Sequence, residues 1–180
     1  MPRLAPRLGD EGGYTLVELT AVLAILTTVL TALTALFVAG VRTETDLNKR
    51  VEAQQHARIA ADRMRREVHC ASGVTVTSAA KITIRLPGHC PTAVASTATD
   101  VIYETVAVAG YTNRYELRRA GVEIADHLTI PNVFSYVAPS EASLGRLHLN
   151  LPVNVRPNEG WKTWSLETDI VLRNTQRDDP

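Results

Sequence analysis

The pattern of apolar and polar positions changes twice along the chain. Between Leu19 and Val41 no charged residue occurs; an apolar run of about 23 residues is long enough to cross a bilayer as a helix. No proline falls between Tyr14 and Ala71, and Gly40 is the one glycine inside that range. One continuous helix is expected there, about 85 Å long at 1.5 Å per residue. Its character shifts beyond Val41. Ala53, Ala57, Ala60, Met64, Val68 and Ala71 recur at spacings of three and four, which makes a narrow apolar stripe. Arg58, Asp62, Arg63, Arg65, Arg66 and Glu67 are assigned to the solvated remainder. That is the pattern of a half-exposed helix packed on a domain, with small side chains that admit a sheet closely.

After Ser72-Gly73 the period drops to two. Val74–Val76, Lys81–Leu86, Val101–Val108, Arg114–Arg118, Val133–Val137, Arg146–Leu151 and Thr163–Leu172 read as strands. Val122–Leu128 reads as a strand or a short turn. Pro87-Gly88, Gly110, Gly121, Pro131-Asn132, Pro139-Ser140 and Pro157-Asn158-Glu159-Gly160 supply the breaks. The expected fold class is α+β: a long N-terminal helix packed on a mostly antiparallel sheet, in the order 14–41 apolar helix, 42–72 amphipathic continuation, 73–180 β-rich domain.

Composition narrows the function. Nineteen basic residues balance nineteen acidic ones, so no net field draws the chain to nucleic acid or anionic lipid. At 5% aromatic, a large aromatic core is not expected. The apolar run is too long for a signal-peptide core of about 7–15 residues, and no A-x-A-like site closes it. A buried core helix of that length normally keeps a polar face. A membrane segment is the better reading, and a plain single-pass anchor leaves the residues before it unexplained.

Those residues are Gly12-Gly13-Tyr14-Thr15-Leu16-Val17-Glu18. Followed directly by the apolar run, they resemble the prepilin signal of type IV pilins and type II secretion pseudopilins. The resemblance implies that prepilin peptidase removes residues 1–13, cutting between Gly13 and Tyr14, and N-methylates Tyr14. It also implies the pilin-like fold, a membrane-stored subunit with its C-terminal domain outside the cytoplasm, and assembly with other pilin or pseudopilin subunits. Glycine before the cut lets the backbone approach an enzyme without a Cβ in the way. Glu18 sits within the span, where an ionised carboxylate calls for a partner. The resemblance supplies one: the Tyr14 amine of a neighbouring subunit, created by the cut. The flanking charges run against this orientation, Arg3 and Arg7 before the span against Arg42, Lys49, Arg50 and Arg58 after it. Long domains translocate largely regardless of such charges. The helix lacks the proline many pilins carry, which points to a minor subunit. The length of the β region resembles the J-type minor pseudopilins, with an actinobacterial-like minor pilin as the other subtype.

Cys70 and Cys90 are the only cysteines. In an extracytoplasmic domain the pair reads as one disulfide. Each follows a histidine, which raises zinc, but adjacent residues point apart on helix or strand and the spacing is not that of a zinc ligand set. No metal and no cofactor are expected. His56, His127 and His148 are scattered, and no nucleophile elbow, metalloprotease helix or phosphate loop occurs. Asp178-Asp179, and Glu167 with Asp169, lack the spacing of a calcium loop. The Arg63–Arg66 cluster has acidic neighbours and no aromatic platform, so nucleic acid is an unlikely partner. Trp161, Trp164, Tyr111, Tyr115 and Tyr136 read as core or interface anchors, with core packing the default. A non-enzymatic assembly subunit is therefore expected. The alternatives are a membrane-anchored sensor or enzyme with a chance prepilin-like leader, and a DNA-uptake pilin.

Overall fold

The computed structural model describes residues 13–90, 97–141, 143–157 and 159–173, without the Trp161 side chain. The leader positions 1–12, Asn158 and Asp178-Asp179 lie outside them. Helix α1 spans Leu16–Cys70 without a break, two residues inside the expected start. Thr15 sets that start: its Oγ1 accepts from the Glu18 amide at 3.2 Å and its carbonyl accepts from the Leu19 amide at 3.1 Å. This is N-capping by a threonine, with Glu18 three residues on as in a capping box.

The chain divides into two units, Met1–Thr45 and Asp46–Pro180. In the first, every described residue from Gly13 to Thr45 is exposed. In the second, the rest of α1 packs on eight strands: β1 (Gly73–Ser78), β2 (Lys81–Leu86), β3 (Thr99–Ala107), β4 (Tyr115–Arg119), β5 (Val122–Leu128), β6 (Phe134–Val137), β7 (Arg146–Val153) and β8 (Trp164–Val171). All pairings are antiparallel, in the order β1-β2-β3-β4-β5-β7-β6, with β8 also on β7. This is an α+β, pilin-like architecture.

Local chemistry explains the hairpins. β4 and β5 are joined by Ala120 and Gly121, at φ 47° and 81°. Two left-handed residues in a two-residue loop match the twist of the flanking strands, and Gly121 takes its position without strain. Val122–Leu128 is thus a strand, the first of its two readings. β8 pairs with all of β7 from Arg146 to Val153, while β6 pairs with Arg146–Leu149 and β5 meets β7 only at Val153. The turn before β8 contains an unexpected 3-10 segment, Gly160–Lys162. Buried Asn154 organises it, donating to the Glu159 carbonyl at 2.9 Å and to Thr163 Oγ1 at 3.1 Å.

The core lies between α1 and the sheet. Ala53, Ala57, Ala60, Met64, Val68 and Ala71 are all buried, as the stripe predicts, against Ile82, Ile84, Leu117, Leu147 and Leu149 among others. Two assignments change. Glu67 is not solvated but fully buried. It stands seven residues after Ala60 and three after Met64, on the stripe itself, and its charge is met there by partners from the sheet. Tyr111 is 60% exposed instead of core, its ring lying under the Arg114 guanidinium at 4.7 Å. Tyr115, Tyr136 and Trp164 do pack against the core, half-buried.

Candidate functional site

The residues of the prepilin-like junction are brought together at the start of α1. Gly13, Tyr14 and Thr15 precede the helix in irregular backbone. Tyr14 is 84% exposed, and a Cβ at Gly13 would meet nothing within 4 Å. Both residues are exposed. Glu18 is exposed one turn away, near the positive end of the helix dipole, which favours a carboxylate locally. The Thr15-x-x-Glu18 spacing is the sequence signal for that local role.

From Thr20 to Thr34 the hydroxyls find their partners within the helix. The hydroxyls of Thr20, Thr27, Thr28, Thr31 and Thr34 donate to carbonyls three or four residues back, at 2.7–2.9 Å. Backbone and side-chain hydrogen bonds are thus satisfied within the segment, the condition for leaving water. This helix is long and apolar enough to cross a membrane. At 100° per residue it is also two-sided. Ala21, Ala24, Thr28, Ala32, Ala35 and Ala39 share one arc of about 80°, and Leu19, Val22, Leu26, Val29, Leu33 and Phe37 a second whose centre lies about 140° away.

In the second unit the polar groups serve the joint between helix and sheet. Buried Glu67 accepts from the Tyr103 hydroxyl at 2.7 Å and from Arg119 Nε at 3.0 Å, and Arg63 Nε lies 3.5 Å away. Burial and the Glu67 charge together push the Tyr103 hydroxyl well above the usual tyrosine range. Asp46 receives Arg50 at 2.9 Å and Arg156 at 2.8 Å, tying the first turn of this part of α1 to the loop after β7. Arg65 pairs with Asp62 and reaches Thr168 on β8 at 3.2 Å, while Arg58 lies over the Trp164 ring at 5.4 Å. Cys70 and Cys90 form a disulfide with Cα atoms 5.9 Å apart, joining the end of α1 to the turn after β2. With a sequence separation of 20, such a link contributes about 3 kcal/mol in the chain-entropy model.

Two of the scattered histidines share a cleft. His56 and His127 line it with Lys49, Glu52, Arg114 and Glu123, around a volume of about 400 Å³. Arg114 and His127 both engage Asp126 there, at 2.5 and 3.0 Å. Burial acts to raise the Asp126 carboxyl, but the hydrogen bonds from His127 and Arg114 outweigh it and hold it far below the usual range. Burial and the neighbouring Asp126 and Glu116 push Glu123 upward. His148 instead sits on the outside of β7, 2.8 Å from Asp169. Glu167 is exposed nearby on β8.

The chain matches no family model, no curated protein and no solved structure.

Proposed function

We propose that this chain is the precursor of a non-enzymatic assembly subunit, a minor pilin or pseudopilin of a type IV pilus or type II secretion-like filament. The observation that carries the proposal is the contrast within α1. Its apolar N-terminal part is exposed from Gly13 to Thr45, while its alanine-rich C-terminal part is buried on its own sheet. A surface of that size and apolarity is held in lipid or covered by other helices.

The mechanism follows in three steps. The precursor is stored in the membrane by the apolar part of α1, with the β-rich domain outside the cytoplasm. Prepilin peptidase cuts the Gly13–Tyr14 bond and methylates the new Tyr14 amine. The helix then leaves lipid for a filament core, where the arc of Ala21, Ala24, Thr28, Ala32, Ala35 and Ala39 admits neighbouring backbones closely. Glu18, set one turn below the amine, pairs with the Tyr14 amine of an adjacent subunit and sets the axial register. Between charges at about 4 Å such a pair gains several-fold more at low effective dielectric than in water.

The test separates insertion from assembly. Glu18→Ala is expected to enter the membrane as the unaltered chain does and to appear at least tenfold less in sheared filaments. Incorporation at the unaltered level removes the role given to Glu18.

A further inference from the structure

The turn after β2 carries an imidazole to the disulfide. Cys90 donates its amide to the Pro87 carbonyl at 3.0 Å, which bends the chain out of the strand geometry that would send adjacent side chains apart. His89 and Cys90 consequently face the same place. A ring nitrogen of His89 and the sulfurs of Cys70 and Cys90 all lie within 4.8 Å of one another. His69, the other histidine preceding a cysteine, is not part of this group. It lies on α1, where neighbours in sequence do diverge. Burial grades across the cluster: Cys90 is 4% exposed, Cys70 half-buried and His89 exposed. There is a closed back wall and an open approach.

Two thiolates and one imidazole are the donor set of a zinc site. Bonds of about 2.3 Å to sulfur and 2.0–2.1 Å to nitrogen, in tetrahedral arrangement, place ligand atoms roughly 3.3–3.8 Å apart. The His89 nitrogen and the two sulfurs lie within 4.8 Å of one another, at most about 1–1.5 Å wider than that, while the sulfur–sulfur bond holds two of them closer. The cysteine Cα atoms, 5.9 Å apart, leave room for the sulfurs to separate by side-chain rotation. We propose that the reduced chain carries a Zn²⁺ site formed by Cys70, Cys90 and His89, with a fourth position open to water. Soft thiolate donors with an imidazole select Zn²⁺ over Mg²⁺ or Ca²⁺.

A thiol reductant opens the site. Two thiols of the reductant pass two electrons and two protons to the Cys70–Cys90 bond, giving two cysteine thiols and one reductant disulfide. Zn²⁺ then displaces both thiol protons and binds neutral His89, so the ion and two thiolates sum to no net charge. Disulfide and metal are alternative closures of the same loop. A chain held in reducing surroundings keeps the end of α1 tied to the turn after β2. A disulfide oxidant takes two electrons from the two thiolates and two protons from solvent, leaves as two thiols, and the Cys70–Cys90 bond forms as Zn²⁺ is released. This site is independent of the filament reading, and its failure leaves that reading intact.

The test uses the full chain in detergent, reduced with a phosphine so that no added thiol competes for metal. Zn²⁺ is titrated against a chromophoric chelator, and Co²⁺ is added in parallel for its thiolate charge-transfer and tetrahedral ligand-field bands. The reduced chain is expected to bind one equivalent and the oxidised chain none. His89→Ala, at an exposed position, should weaken binding by more than the roughly 10–100-fold that loss of an outer-shell partner costs. His89→Cys should restore binding, and His69→Ala should leave it unchanged. Reduced protein that binds no better than oxidised, or binding indifferent to His89→Ala, overturns the assignment.

Discussion

Two stretches of one helix, both rich in alanine, are stabilised in opposite ways. From Gly13 to Thr45 the side chains are larger and more apolar, yet all are exposed, Phe37 at 72% and Leu36 at 71%. From Ala53 to Ala71 the buried positions are mostly alanine, and a glutamate is buried among them. Hydrophobicity alone therefore does not decide which part of α1 is covered. The deciding factor is whether a matching surface exists in the same chain. Alanine lets the sheet come close enough to α1 for Tyr103 and Arg119 to reach Glu67. The bulky stretch has no such surface among the described residues, and the proposed function assigns its cover to lipid or to other subunits.

The sharpest way to break this contrast is at Glu67. Glu67→Ala leaves the half-buried Arg119 and the buried Tyr103 without their partner, and such a loss costs about 3–5 kcal/mol. Denaturant unfolding of the full chain in detergent, followed by tryptophan fluorescence, measures it. A loss below about 1 kcal/mol, the value of an exposed pair, would mean the joint does not depend on Glu67. Next comes a matched pair of substitutions. Ala57→Leu overfills the packed interface and should cost about 1–3 kcal/mol, while Ala32→Leu should leave the same transition unmoved. Equal effects would erase the distinction between the two stretches.

The smallest expected effect is an acid limb confined to the β-rich unit. The folded Asp126 carboxyl lies below its unfolded value, because His127 and Arg114 bond its charged form. Its contribution is complete above the ordinary aspartate value of about 4 and is lost as pH falls below it. Asp126→Asn should flatten that limb in acid unfolding. An unchanged limb would assign the acid sensitivity to other carboxylates.

Much of this was legible because period carries the information. The helix, its alanine stripe and the seven firm strands follow from spacing alone, with Lys81–Leu86 matching β2 at both ends. The charge of Glu67 points to solvent, but its place on the Ala53-Ala60 heptad marks it as inward. Its partners, on β3 and β4, come from sheet register, which local spacing does not encode. The same holds for His56 and His127 meeting in one cleft. His89 approaches the disulfide through a turn, so the rule that adjacent side chains diverge held for His69 and not for it. At the junction Gly13, Tyr14 and Glu18 are legible as a motif, and the Thr15-x-x-Glu18 spacing carries the helix cap.

The central claim is that the exposed stretch of α1 is processed for assembly, and intact mass measurement of the protein recovered from cells with an active prepilin peptidase tests it most directly. The account predicts a chain beginning at Tyr14, lacking residues 1–13 and carrying one added methyl group on its N-terminal amine. A chain that retains residues 1–13 would contradict it.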